Sequence, residues 1–533
     1  MSRFLLAAAA LLAGAGTAAW AAEPSRGQRI VEIRYETRNV FEGEPEEKNA
    51  LFSMADAVHR RTRRRVVERE LLFAVGDPYD PALIQETERN LRGLPFLRRV
   101  EVVGIETSSG AVVIVRTWDA WTLELLLRYS RAGGVTNTAA GASDHNVLGN
   151  GKSAALQYEK SGGSVQRSAS YQDPQLLGKP HLVYQLSAAD STNMRSYSTS
   201  LGRPFYASIT KSSLVGGGTY TEDRQTIYED LTQAGTVGRQ HYDAFLTYGY
   251  ALEATPRRTR RVTATLTQSR DAYTGLSDVG AAFVPDARQQ TALVAGYQDQ
   301  EVDFIKQKHI QKLSHEEDFN TGLSFLPTLG YAPYWRALGA TGEQITPKVD
   351  MRKGFVSELG QFVFLRGDYS SVYVNGRDGD RVATLQALYF CRYFPRHTVA
   401  ANFQVDRGWR LDGGALLGLG EDNGLRGYHA KQFQGDRRVL FNLEDRVFFV
   451  DDLFRLLDAG GVVFFDSGRA WMPSEPARFA QLSSSYGFGL RLGATRSADN
   501  EPVRIDIAHA LNDNQSRSRW TVSVAAGAAF GPN

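Results

Sequence analysis

HYDAFLTYGYAL, residues 241–252, places every second side chain on one side of an extended chain: Tyr242, Ala244, Leu246, Tyr248, Tyr250 and Leu252 form a single stripe. Side chains on a strand alternate between faces, so this segment is apolar on one side only. The pattern recurs in both directions. In KSAALQYEK (152–160), Ala154, Leu156 and Tyr158 oppose Gln157 and Glu159. In HLVYQLSA (181–188), Leu182, Tyr184, Leu186 and Ala188 oppose Gln185 and Ser187. In RWTVSVAAGAAF (519–530), Trp520, Val522, Val524, Ala526, Ala528 and Phe530 line up. Clusters of Gly, Asp, Asn and Pro separate such segments from Trp121 onward, with almost no convincing helix between them.

A soluble sandwich also has one apolar face. Persistence of the alternation, aromatics at strand ends and charges on the polar faces favour a transmembrane antiparallel β-barrel with a wet lumen. A closed sheet gives every backbone amide a partner in lipid. The fold class is therefore mostly β, with sixteen to nineteen candidate strands and an even number expected; residues 257–374 divide in more than one way.

Composition agrees. The chain of 533 residues holds 51 Gly and 57 aromatics, as turns and aromatic girdles require. Lys and Arg (61) nearly balance Asp and Glu (59), so no bulk basic character points to nucleic acid. The single cysteine, Cys391, rules out an intrachain disulfide or a multi-cysteine metal site. Residues 1–21 read as a signal peptide: Arg3, the apolar run FLLAAAALLAGAG and the small-x-small pattern Ala19-Trp20-Ala21. The run is well short of the ~20 residues a spanning helix needs, which disfavours an anchor.

Residues 28–118 read as a small α/β domain. RIVEIRYE (29–36) alternates as a strand. RRRVVERELLFAVGD (63–77) is helical in composition. A second helix opens with Asp80 as N-cap and Pro81 at its first position, and ends at Gly93. RRVEVVGIE and AVVIVRTW form a hairpin around Ser108-Ser109-Gly110. The basic run Arg60–Arg65 reads as a solvated helix face in preference to a lipid or partner contact.

The loop GLRGYHAKQF (424–433) sets an arginine between glycines, just before four strands with inward charges. Outward Leu443, Val447 and Phe449 leave Asn442, Glu444 and Arg446 inside. Outward Val463 and Phe465 leave Phe464, Asp466 and Gly468 inside. The next two strands turn Arg491, then Arg504 and Asp506, to the lumen. Folded back, Arg426 would meet Asp466 or Glu444, because a guanidinium fork matches a carboxylate bidentately. Gly424 and Gly427 permit the tight backbone. Spacing alone leaves a solvated loop arginine as the alternative.

Leu425-Arg426-Gly427-Tyr428 and Phe464-Phe465-Asp466-Ser467-Gly468 resemble the Val-Arg-Gly-Phe/Tyr loop and Phe-x-Asp-x-Gly strand signatures of the outer-membrane assembly and secretion barrels. That superfamily comprises BamA, TamA, the two-partner secretion transporters and related bacterial surface antigens. HNVLGNGKSAALQYEK and YQDPQLLGK resemble its Asn-x-x-Gly-x-Gly and Asp-Pro-x-x-x-Gly elements. RELLFAVGDPYDPALIQETERNLRGLPFLRRVEV resembles its polypeptide-transport-associated (POTRA) domain. The resemblance implies one periplasmic POTRA domain before a barrel of about sixteen strands over 120–533. It implies a loop latch of Arg426, Gly427 and Tyr428 on Asp466 and Glu444. It also implies a weak lateral seam between first and last strands, marked by Trp121, Leu123, Trp520, Val522 and Phe530. The partners it implies are outer-membrane lipid, an extended client polypeptide and a periplasmic accessory protein, with no nucleic acid. Strand augmentation at an exposed edge is the binding mode expected. The chain has one such domain where the assembly insertases have several, and no plug helix or passenger domain.

Signs of catalysis are few. FFDSGRAW lies on a strand, not on a nucleophile elbow, and Gly151-Lys152-Ser153 lacks the glycine spacing of a phosphate loop. His309, His315, Glu316 and Glu317 read as a solvated turn in preference to a metal site. Cys391 shares the outward stripe with Tyr389 and Tyr393. The sequence thus points to a non-enzymatic barrel without cofactor that inserts or translocates polypeptides, with a passive channel or structural barrel as the alternative.

Overall fold

A computed structural model describes residues 23–532 apart from 43–55, 57–58, 133–134, 162–163, 230–231, 278–286, 336–339, 341, 358–359, 412–415, 473, 498–500 and 513–518. Residues 1–21 thus lie outside it, as does the expected cleavage site.

The N-terminal domain runs β1 (Ile30–Arg38), α1 (Arg64–Glu68), α2 (Pro81–Arg92), β2 (Leu97–Thr107) and β3 (Gly110–Asp119). Its sheet has the order β1-β3-β2, with β1 parallel and β2 antiparallel to β3. Ile30, Val67, Leu91, Phe96 and Val113 form its core. The Asp80 carboxylate caps α2 by accepting from the Ala82 amide at 3.0 Å. The first helix is shorter than the composition of 63–77 predicts. The Thr87 hydroxyl and the Asp77 carboxylate accept from the amides of Leu72 and Ala74, and such side-chain acceptors hold the backbone in turns.

The remaining chain closes into an antiparallel barrel of twenty strands among the described residues. This corrects the expected number of about sixteen. Alternation sets which residues share a face but not where turns fall, and β4 (Leu123–Ala132) opens a run of six strands of nine or ten residues ending at Arg203. The ambiguous middle holds strands Arg258–Ser277, Arg288–Glu301, Ser324–Ala332, Gln344–Val356 and Phe362–Val374. A ring of this size is roughly 40 Å across, too wide for its own inward side chains to fill.

The outer wall is the apolar one. Leu156, Leu246, Leu266, Val463 and Phe488 are all more than half exposed. Tyr197, Tyr220 and Tyr242 pair across three strands as an aromatic row, and Tyr250 lies eight residues further along one of them. Eight residues of strand span about 26 Å, close to the height of a lipid-facing band. Among the described residues no helix is long and apolar enough to cross a membrane.

Two connections fold back inside. At the end away from the α/β domain, residues 410–436 join strands His397–Trp409 and Arg437–Leu453. At the domain end, residues 302–323 leave Arg288–Glu301 and return at Ser324–Ala332, forming a hairpin of Phe304–Gln307 with Glu317–Asn320.

Candidate functional site

The loop between Trp409 and Arg437 owes its path to its glycines. Gly424 and Gly427 adopt φ of 106° and 90°, a region that L residues disfavour. A Cβ on Gly427 would stand 3.1 Å from that of Ser485. Leu419, Leu425 and Tyr428 are buried against Leu440, Ala470 and Ala510, so the loop has an apolar anchor of its own. The Tyr428 hydroxyl lies 2.9 Å from the Ser484 carbonyl and 2.7 Å from Asn512 Oδ1.

This path carries Arg426 into the wall, where it is 3% exposed. Its Nε and Nη2 donate to the two oxygens of Asp466 at 2.7 and 2.8 Å, a bidentate fork. Nη1 donates to Glu444 Oε1 at 2.7 Å and stands 3.6 Å from Asp506. The guanidinium carbon lies over Phe464, 3.5 Å from the ring centroid, a cation–π contact. Asn442 donates to Asp466 at 2.8 Å and to the Gly424 carbonyl at 2.7 Å, tying loop to wall a second time. Ser485 donates to the Arg426 carbonyl. A buried cation surrounded by carboxylates, an aromatic face and backbone contacts is geometry that holds a loop.

The inward residues of the last strands stand around this contact. Arg491 pairs with Asp506 at 2.6 Å, and Arg504 lies 3.9 Å from the same carboxylate. Gly468 leaves room for Leu419: a Cβ there would come within 3.0 Å of the leucine.

First and last strands are neighbours in the ring. They are hydrogen-bonded like every neighbouring pair, but the contact of β4 with Trp520–Ala526 is the slightest in the ring among the described residues. Trp121 forms an isolated bridge with Ser497, and Leu123, Trp520 and Val522 face outward. Phe530 is a correction. The last strand ends at Ala526, Gly527 turns the chain at φ 77°, and Phe530 enters the barrel, where it meets Phe390 and lies 4.9 Å from the Arg446 guanidinium.

The hairpin 302–323 is a second correction, because it is an inserted element and not a solvated turn. Ile310 and Phe319 are buried against Phe362, Phe364 and Phe390 of the inner wall. Glu317 is buried too, accepting from the amides of Ile310 and Gln311 at 3.1 and 3.0 Å. Arg446 holds this end of the lumen: it donates to the carbonyls of Ile310 and, at 3.1 Å, of Phe530. The same guanidinium donates to Glu444 Oε2 at 2.8 Å, while Arg426 takes Oε1. Glu444 therefore joins the loop from one end to the hairpin and tail from the other. No group of three metal-ligating side chains occurs among the described residues.

From below, the hairpin is tied to the α/β domain, where Arg92 donates to Asp318 at 2.9 Å and to Glu316 at 3.1 Å. The domain is docked elsewhere by the two glycine-bearing turns. Asn146 accepts from the Gly151 amide at 2.6 Å and donates to Thr62 at 2.8 Å; Gln175 takes Arg69 and Glu70. Arg60, Arg61, Arg63, Arg64 and Arg65 are all exposed, as the solvated-face reading expects, and Arg65 donates to Asn150 at 2.7 Å. Gly149 has φ 72° and a Cβ there would collide with the Arg61 carbonyl. Gly149→Ala should cost about 1–3 kcal/mol of this docking, read as faster amide exchange over residues 60–66.

Asp119, at the junction between domain and barrel, accepts from the Thr62 amide at 2.7 Å. Burial pushes its carboxyl up to about 7 and pushes the imidazole of His59, 4.0 Å away, down. An acid whose pKa is raised on folding stabilises the fold while protonated, so stability is lost as pH rises from about 4 through about 7. The full span is at most about 4 kcal/mol. Asp119→Asn keeps an acceptor and should flatten the pH dependence of the domain's urea midpoint over that window; an unchanged slope would refute the assignment.

No protein-family model and no curated protein sequence matches the chain. Solved structures do. CdiB from Escherichia coli is 11% identical with a TM-score of 0.49, the match covering 94% of this chain and 76% of that one. CdiB from Acinetobacter baumannii is 12% identical with a TM-score of 0.43, covering 94% and 74%. BamA from Haemophilus ducreyi lacking POTRA domains 1–3 is 12% identical with a TM-score of 0.37, covering 93% and 84%.

Proposed function

We propose that the chain is an outer-membrane barrel of the BamA, TamA and two-partner secretion superfamily, its α/β domain a single POTRA module in the periplasm. On this reading it inserts or translocates polypeptides at the outer membrane, as a non-enzyme needing neither cofactor nor nucleotide. The observation that carries it is the buried loop arginine. Arg426 sits between Asp466 and Glu444, within the two motifs whose order in the sequence resembles that superfamily. The closing pair of strands supports it further. An incoming extended segment can augment β4 or Trp520–Ala526 through main-chain hydrogen bonds, which bind without demanding one client sequence. Outer-membrane lipid and an unfolded client are the partners, with a periplasmic accessory protein reaching the free face of the domain.

Deletion of the gene should deplete specific outer-membrane or surface proteins, measured by comparative proteomics of the envelope. An unchanged proteome, together with a large conductance that persists without the α/β domain, would establish a passive channel instead. The inserted loop, hairpin and tail weigh against a passive channel, since an open pore has no use for wall contacts from both ends.

A further inference from the structure

An open groove of about 540 Å³ crosses the outer wall of the barrel, toward the end away from the α/β domain. The strands fix that level. Ser212, opposite Tyr250, follows the turn in which the Ser208 amide donates to Glu86 of the domain at 2.7 Å; Tyr242 stands eight residues beyond Tyr250. Tyr197, Tyr220 and Tyr242 edge the groove, and Gly218 beside Ala244 is its floor. A Cβ on Gly218 would stand 2.7 Å from the Asp243 carbonyl oxygen, so the floor stays bare. Two polar side chains join from the neighbouring strand. Arg270 pairs opposite Tyr242 and continues the tyrosine row, and Gln268 pairs opposite Ala244. Both are exposed, and neither has a hydrogen bond or ion pair among the described residues. The same face of that strand continues as the apolar Leu266 and Val262. An amide without a partner against hydrocarbon is costly. An arginine on such a wall is tolerated where its guanidinium reaches the interface.

We propose that this groove binds one phosphate-bearing acyl lipid of net negative charge, from the leaflet away from the α/β domain. Its phosphate meets Arg270, an acyl carbonyl accepts from the Gln268 amide, and an acyl chain lies over Gly218 and Ala244. The order of the wall matches the order of such a molecule. A cation stands level with the tyrosine row, a neutral donor about 7 Å deeper, and a bare floor between them and the leucines. Charge selects the class. A zwitterionic lipid brings a cation of its own beside the guanidinium, whereas an anionic one leaves the phosphate to it. The site rests on reading the outer wall as lipid-facing, and it adds a lipid held at one place to a wall otherwise merely wetted by lipid.

The test uses the full chain in phosphatidylcholine nanodiscs doped with phosphatidylglycerol. Released for native mass spectrometry, the chain should retain one phosphatidylglycerol in preference to phosphatidylcholine. Arg270→Gln should lower that retention by about tenfold or more, as the loss of a charge-assisted hydrogen bond does. Ala244→Phe fills the floor and keeps the charge, and it should lower retention as well. Arg167→Gln is the control: it removes another exposed arginine of the outer wall, opposite Tyr158 and without an ion pair among the described residues, and should change nothing. Glycerol phosphate, the headgroup without its chains, should not displace the lipid. No selective retention would overturn the site, and so would equal loss in Arg167→Gln, which would mean diffuse attraction to surface cations. Full retention in Ala244→Phe, or displacement by glycerol phosphate, would overturn the lipid assignment. A chain that does not enter phosphatidylcholine discs at all would refute the membrane barrel itself, a result distinct from entry without selective retention.

Discussion

Arg426→Ala should release the loop 410–436 from the lumen, with protease sites in the loop becoming accessible from its outer side and single-channel conductance rising. The substitution leaves Asp466, Glu444 and Asp506 buried around a missing guanidinium, and each was within 3.6 Å of it. Removing one partner of a buried ion pair costs about 3–5 kcal/mol, because the other partner stays desolvated and unpaired. Lysine should not rescue it: a point-charge ammonium cannot fork onto Asp466, reach Glu444 and sit over Phe464 together. A double variant, Arg426→Ala with Asp466→Asn, should be milder than the single one, since it removes the charge left without a cation, whereas Glu444 keeps Arg446 and Asp506 keeps Arg491. If protease access and conductance match the wild type in Arg426→Ala, the loop is held by its apolar anchor, and the arginine is not the latch.

Replacing residues 303–321 by an Asn-Gly turn should have the second large effect. Gln300 and Ser324 already pair across the neighbouring strands, so a short turn preserves the ring. The replacement removes Ile310 and Phe319 from the inner wall, where burial of two such side chains contributes about 3–6 kcal/mol. Phe362, Phe364 and Phe390 then face water, and the Arg446 guanidinium loses the Ile310 carbonyl. Conductance should rise by roughly an order of magnitude, toward that of a water-filled barrel, and an apolar dye should bind the newly exposed wall. Through Arg446 and Glu444 the replacement should also loosen the Arg426 loop at the opposite end, detectable as faster loop proteolysis. Unaltered loop proteolysis would show that Glu444 holds two elements without coupling them.

Much of the barrel is legible in the chain because a strand's two faces are written residue by residue. Leu443, Val463, Phe488 and Val503 face out as their alternation predicts, and Glu444, Asp466, Arg491 and Asp506 are buried within. Alternation named Asp466 and Glu444 as inward carboxylates but left a solvated loop arginine open; it was the resemblance of the two motifs that implied the contact of Arg426 with both. The Phe464 contact follows from the same alternation, although only its place on the wall was read.

The hairpin was not legible. Ile310, Leu313 and Phe319 are three apolar residues in a polar run without helical or strand periodicity, so nothing local separates an inserted hairpin from a solvated turn. Phe530 misled in the opposite sense. Its place in the alternation is correct to Ala526, but a positive φ at Gly527 ends the strand, and no pattern of side chains encodes that. The roles of Asn146, Gly149 and Gln175 in docking the domain were likewise invisible, because each depends on a surface more than 70 residues away in the chain.

By itself, then, the sequence determined the local geometry: which side of each strand faces outward, where helix α2 begins, and which loop carries a cation. Only the tertiary structure decided how many strands close the ring, what fills it, and that Glu444 serves two guanidiniums from opposite ends. Periodicity is a property of neighbours along the chain. Closure, insertion and shared ion pairs are settled by surfaces that meet only after the chain has folded.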